Sequence, residues 1–285
     1  MIVLGISGAL NHDAAVSVIK DGEILFASHS ERYSKIKNDP LLNDEIIQEA
    51  LSYGKPDVIA WYERPILKKF RQFFAGQFEL AFDLDELPVN YLKKFPELDD
   101  IKIKYQTHHY THAASGYFTS GFDEAAVIVI DSIGENETLT MWHGHENKLT
   151  KMYTQGYPNS VGLFYSAMTQ RLGLKPQEDE YILMGMAAYG DLHRRVDGKS
   201  LVKHIYDQFK ITLQHSNLEN HLIVQIGKNL HRGCKWYREG YNKWTDKLNI
   251  AAATQSIYED IFIGIVEHCF NKYKSKNLVV MGGCA

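Results

Sequence analysis

The chain has 285 residues, with 35 acidic and 31 basic side chains and a formal net charge of −4. That length allows one large or two medium domains, and nothing in the acidic balance suggests a nucleic-acid footprint. Three widely spaced cysteines, Cys234, Cys269 and Cys284, argue against a disulfide framework or a structural zinc knuckle and for a reducing compartment. The N-terminal run Met1–Ile6 is an apolar strand that continues to Ser7; it lacks the basic n-region of a signal peptide and meets Gly5 and Gly8 early. No apolar run reaches the ~18–20 residues of a spanning helix, so the expected setting is the cytoplasm, with neither membrane nor nucleic acid as partner. Ala14–Lys20 reads as a second strand, Asp21-Gly22 as a hairpin turn and Glu23–His29 as a third strand. Asn43–Tyr53 has helical spacing, with Ile46, Ile47, Ala50 and Leu51 on one side. Asp57–Trp61 is a short buried strand, Pro65–Phe74 a basic helix and Ile101–Gln106 another strand. Trp61–Arg64 and the basic stretch Leu67–Arg71 are expected to form a solvated helix face.

The same order then begins again. Ala125–Asp131, Glu137–His143 and Lys148–Thr154 read as three strands, with a turn at Gly144–Asn147. Val161–Leu172 is a helix with Ser160 as its N-cap. After an irregular insertion near 191–246, Leu248–Tyr273 forms a long amphipathic helix and Asn277–Met281 returns as an apolar strand. Two tandem copies of this pattern predict an α/β fold, the duplicated ribonuclease-H-like fold of the actin, Hsp70 and sugar-kinase superfamily, whose halves face each other across a nucleotide cleft. The expected parts are residues 1–107 as the first half, 108–124 as a connecting helix and 125–285 as the second half. A buried strand running into Gly282-Gly283 at the chain's end reads as an incomplete second half. In such a fold the turn after each first strand faces the cleft, here Gly5–Asp13 and Asp131–Glu135. Glycines there let backbone N–H groups approach phosphate oxygens, and Gly282-Gly283 is a third such turn.

The most informative stretch is His108-His109-Tyr110-Thr111-His112-Ala113-Ala114-Ser115. On a helix His108 and His112 share a face, while His109 points about 100° away. The strand Ala125–Ile130 ends in Asp131, so two imidazoles and a carboxylate make a candidate open metal site. The competing reading is a solvated His pair beside a turn aspartate.

Several segments together resemble the carbamoyltransferases of the nodulation-factor and antibiotic-biosynthesis type, specifically their N-terminal part. They are Gly5-Ile6-Ser7 through His12-Asp13, Ser30-Glu31-Arg32-Tyr33-Ser34, His108–Ala113, Ile130–Glu135, Ser160–Ser166, Asp179–Gly190, Asn229–Gly233 and Val279–Ala285. The resemblance implies a domain like the universal tRNA threonylcarbamoyl-transfer protein. Its reaction moves a carbamoyl group from a carbamoyl-adenylate, made from carbamoyl phosphate and ATP, to a hydroxyl of a sugar or natural product. The family makes the adenylate in a C-terminal domain, which this chain is expected to lack. It implies a divalent metal, iron favoured and zinc possible, on His108 and His112. Asp131 matches a nearby acidic ligand, with Glu135 its competitor, and a further Asp ligand would lie beyond Ala285. Many relatives carry Lys where this chain has Ile182.

The chemistry assigns roles accordingly. His12 suits a general base near neutral pH and Asp13 an orienter of acceptor hydroxyls, unless the pair only caps a turn. Ser132, Gly134, Gly282 and Gly283 are the candidate adenylate cradle. Glu180 either binds the adenylate or forms a salt bridge, and Arg232 either pairs with a phosphate or holds backbone carbonyls. The alternative reading is a non-catalytic nucleotide- or metal-binding module. A sugar kinase is disfavoured because that chemistry does not need a His-x-x-x-His clamp.

Overall fold

Leu4 and Ile6 of Ile2–Ser7 (β1) and Val16 and Val18 of Ala15–Lys20 (β2) are the buried members of alternating strands, so both strands present one apolar face. The computed structural model describes residues 1–8, 13–216 and 221–285, with 214–216 and 221–223 described by backbone only. They form two compact units, Met1–Thr111 and His112–Ala285.

In the first unit, β1 and β2 are joined by Glu23–His29 (β3), Val58–Trp61 (β4) and Ile103–Tyr105 (β5) in the order β3-β2-β1-β4-β5. β2 is antiparallel to β1 and β3, whereas β4 is parallel to β1 and β5. Asp21 and Gly22 both adopt positive φ, 50° and 94°, as a two-residue hairpin turn requires. A short helix, Glu31–Ser34 (α1), follows β3. Asp44–Ser52 (α2) starts where the Asn43 side chain accepts the Ile46 amide at 3.0 Å, and it buries Ile46, Ile47 and Ala50 against the sheet. Pro65–Phe74 (α3), Phe78–Phe82 (α4) and Pro88–Tyr91 (α5) fill the connection from β4 to β5.

The expectation of a solvated basic face over 61–71 is corrected by this unit. Trp61 and Glu63 are buried. Lys68 and Lys69 face inward, paired with Glu63 at 2.9 Å and Glu86 at 2.6 Å. Inward carboxylates fix the polar stripe of α3, and its apolar stripe is left outside.

The helix His108–Thr119 (α6) crosses the division between the units after its first turn. The second unit is built on Glu124–Ile130 (β6), Glu137–His145 (β7), Lys148–Gly156 (β8) and a final strand, Leu278–Met281, in the order final strand-β6-β7-β8. β6 is antiparallel to β7 and parallel to the final strand, the same path as β3-β2-β1-β4. Two sheets wound alike are the duplicated ribonuclease-H-like fold. All of Ala125–Ile130 is buried, as a continuous apolar run covered on both faces should be.

Val161–Arg171 (α7), Glu180–Ala187 (α8) and Trp244–Tyr273 complete the core. The insertion is not irregular. It holds Arg195–Val196 (β9) and Lys199–Ser200 (β10), then Leu201–Phe209 (α9), then the hairpin Ile211–Ser216 (β11) and His221–Ile226 (β12). Ile205, Phe209, Val224 and Ile226 bury with the main cluster. With these labels the long helix 244–273 is α10 and the final strand β13. Ile182 sits on α8 and packs partly against that cluster. Among the described residues, no helix is long and apolar enough to cross a membrane.

Candidate metal centre

Small residues let α6 lie directly on its sheet. A side chain at Gly116 would press on Met281 and stand 2.8 Å from Val279, and one at Gly144 would stand 2.5 Å from the Tyr117 ring. Ala113 and Tyr117 point into the core, and the Tyr117 hydroxyl donates to the Asp123 carbonyl at 2.7 Å. The helix is thereby fixed in rotation. His109 is fully buried, while His108 and His112 are half-buried one turn apart on another face.

Asp131 follows the last residue of β6. Its amide donates to the Thr138 carbonyl at 3.0 Å, and its Oδ1 accepts the Ser132 amide at 2.7 Å. Ser160 caps α7 by accepting the Leu163 amide at 3.0 Å, and its own hydroxyl donates to the Ser132 carbonyl at 2.6 Å. One serine therefore ties the helix start to the aspartate turn. Gly162 makes that approach possible, because a Cβ there would lie 2.8 Å from Ser132 N and 2.6 Å from Cys284 Sγ.

The outcome is a cluster in which ligand atoms of His108, His112 and Asp131 lie within 4.8 Å of one another. His112 Nε2 is 3.5 Å from Asp131 Oδ2. Two donors about 2.1 Å from a common ion at the tetrahedral angle stand about 3.4 Å apart, so this pair is spaced for a shared cation. The remaining Asp131 oxygen is held by a backbone donor, the outer support that metal carboxylates use. Two imidazoles and one carboxylate suit iron or zinc and leave coordination positions open.

The other expected residues divide into three groups. Gly282 and Gly283 lie beside the centre: Gly282 has φ 101° and abuts the Ile130 carbonyl, and a Cβ on Gly283 would be 3.2 Å from Asp131 Oδ1. Ser132 and Gly134 are in the adjoining turn with their amides engaged, the first by Asp131 and the second by the Glu137 carbonyl at 2.8 Å. Glu135 is buried in that turn. Glu180 accepts from the Ser166 hydroxyl at 2.6 Å and the Gln177 amide at 2.7 Å, so it braces the start of α8. Burial, reinforced by Asp131 and Glu180, pushes the Cys284 thiol well up.

The first-strand turn is the third group. His12 lies outside the described residues. Asp13 has φ 64° and groups with His29 and Glu31, their ligand atoms within 4.8 Å. Arg32 Nε donates to His29 Nε2 at 3.0 Å and the Asn38 amide to Glu31 Oε2 at 3.0 Å. That amide holds the Glu31 carboxyl below its usual range. The spacing argument missed His29 and Glu31 as companions of Asp13. The signal available was the Ser30–Ser34 segment, which stands at the end of the strand paired with β2.

Residues 79–285 match the family described as carbamoyltransferase N-terminus. An uncharacterised protein of Synechocystis is 29% identical over 99% of the chain and 50% of its own length. The nodulation protein NolNO of Sinorhizobium fredii is 27% identical over 100% of the chain and 44% of its own. The 3'-hydroxymethylcephem-O-carbamoyltransferase of Amycolatopsis lactamdurans is 22% identical over 96% and 50%. The chain thus spans about half the length of these relatives. Among solved structures, HypF of T. kodakarensis aligns with the whole chain and 42% of its own at 13% identity, with a TM-score of 0.47. The fold assignment rests on the two sheets, not on that likeness.

Proposed function

Because this chain belongs to the carbamoyltransferase N-terminus family, we propose that it is the transfer part of an O-carbamoyltransferase. It would receive a carbamoyl-adenylate made from carbamoyl phosphate and ATP by a further domain, and pass the carbamoyl group to a hydroxyl of a small sugar-like or natural-product acceptor. The observation that carries the reading is the His108–His112–Asp131 cluster in a member of this family.

His108, His112 and Asp131 would hold a divalent cation, which supplies Lewis-acid polarisation of an oxygen when bound. Ser132 keeps the Asp131 carboxylate in one orientation through its amide. The Gly282-Gly283 turn beside Asp131 would receive the phosphate of the adenylate in this reading. In this reading Asp13 orients the acceptor hydroxyl and His12 takes its proton. The acceptor oxygen then bonds to the carbamoyl carbon, the bond to the phosphate oxygen breaks, and AMP leaves.

The test supplies carbamoyl-labelled adenylate and a panel of polyhydroxylated acceptors, with metal content read by mass spectrometry. The wild-type chain should carry roughly one transition-metal ion, and His108→Ala/His112→Ala should lose it. His12→Ala should keep the metal and slow transfer by about 10²–10⁴-fold, the worth of a general base. Equal metal content in wild type and the double variant removes the site. Metal retained without transfer to any acceptor leaves a metal-binding module of the same fold.

A further inference from the structure

Helix α3 wears its two stripes inside out. Ile66, Leu67, Phe70, Phe73 and Phe74 recur at the spacing of one helix face, yet they are 43–83% exposed. The opposite stripe is polar and faces inward. Gln72 is buried, Lys68 and Lys69 reach Glu63 and Glu86, and Arg71 donates to Gln77 at 2.9 Å. The outer stripe continues onto α4, where Phe78 and Phe82 are also exposed. The Phe73 ring centroid lies 5.4 Å from Phe78, 6.0 Å from Phe82 and 5.8 Å from Phe74, so the aromatic rings form one continuous surface.

Large apolar side chains cover about 150–250 Å² each, so at these exposures the seven residues leave on the order of 800 Å² of apolar surface. The largest patch on a monomer is usually about 300–600 Å². A standard interface takes about 800 Å² from each partner.

We propose that the α3–α4 face is where two copies of this chain associate about a two-fold axis. A two-fold contact sets the same patch against itself. An aromatic stripe is its own complement, because its rings pack edge-to-face with like rings. The exposed area alone is enough for one such interface. An anionic lipid surface fits less well, since it needs outward cations. Here Lys68 and Lys69 are held inward, and the exposed charges beside the patch include the acids Glu79 and Asp85.

Sedimentation velocity of the 285-residue chain across about 0.1–100 µM tests this, the range in which interfaces of this size associate. Wild type should be a dimer at the upper concentrations. Phe74→Glu and Phe82→Glu should each weaken association by about 100-fold or more, as central aromatic anchors do, and Phe74→Leu should keep the dimer. Both positions are exposed, and circular dichroism matching wild type shows that each variant is folded. A wild type that stays monomeric at the highest concentration overturns the proposal, as does a dimer that survives both glutamate substitutions. A monomer that instead floats with phosphatidylcholine–phosphatidylglycerol vesicles overturns it and gives the face to a lipid surface.

Discussion

Gly162→Ala sets two effects against each other and lets the structure decide the sign. Gly162 is the second residue of α7, and helix propensity alone favours Ala over Gly by up to about 1 kcal/mol. The added methyl, however, would lie 2.8 Å from both Ser132 N and Ser132 Cα and 2.6 Å from Cys284 Sγ. Ordinary contact begins near 3.4 Å, so the backbone at Ser132 must yield by about 0.6 Å. It has little freedom to do so, because Ser160 Oγ bonds the Ser132 carbonyl and Asp131 bonds the Thr138 carbonyl. Overpacking of that kind costs about 1–3 kcal/mol and outweighs the helical gain. The same displacement moves Asp131, and metal sites tolerate only about 0.2 Å in ligand distance. Gly162→Ala should therefore lower urea stability by about 1–2 kcal/mol and weaken metal binding about 10–100-fold, the usual effect of disturbing a ligand's support. Urea denaturation and competition with a metal-binding dye measure the two quantities on one preparation. Unchanged metal affinity in a variant as stable as wild type would show that α7 does not hold the Asp131 turn.

Asp131→Asn should abolish high-affinity metal binding while leaving the metal-free fold within about 0.5 kcal/mol of wild type, since the amide oxygen still accepts the Ser132 proton. A large loss of metal-free stability would make Asp131 a structural turn residue. His204 bonds the Tyr237 hydroxyl at 3.0 Å and lies 3.3 Å from Arg238 Nη1. Burial and then the Arg238 charge hold its imidazole below its ordinary pKa. The unfolded chain takes up a proton that the folded chain refuses, so the stability tied to this residue is complete above pH ~6.5 and is lost as pH falls below it. Urea curves at pH 7.5 and 5.0 should show a smaller acid loss for His204→Gln than for wild type, and an equal loss would count against the assignment.

Much of the fold was legible because its signals are repeated many times along the chain. Alternation in Ile2–Ser7 and Ala15–Lys20, the Asp21-Gly22 turn and the unbroken apolar run of β6 each specify one local structure. The His108–His112 spacing and the strand ending at Asp131 pointed to the three side chains that the fold brings together as a candidate cluster. Short elements were missed: α4 and α5 span five and four residues, too few to display a helical period. Within the insertion, the two-residue strands β9 and β10 carry no alternation to read. The orientation of α3 could not be read at all. Periodicity shows that a helix has two stripes, and only the carboxylates of Glu63 and Glu86, which lie outside the helix and pair with it on folding, decide which one turns inward. The amides of Ser132 and Gly134 illustrate the same limit, since both looked free for phosphate and both are committed to nearby oxygens.

The pairing of β13 with β6 gives the candidate site an uneven history along the chain. α6 and the end of β6 are separated by a short connection, so bringing His112 to Asp131 closes a loop of about 19 residues. Gly282 and Gly283 reach the same place only after β13 has crossed roughly 150 residues of intervening chain to lie beside β6. Closure entropy grows as the logarithm of loop length, so the second approach costs about 2 kcal/mol more than the first. The His112–Asp131 side of the candidate centre is thus a local product of the sequence. The glycine side is its most non-local contact, and it depends on the docking of everything between β8 and β13.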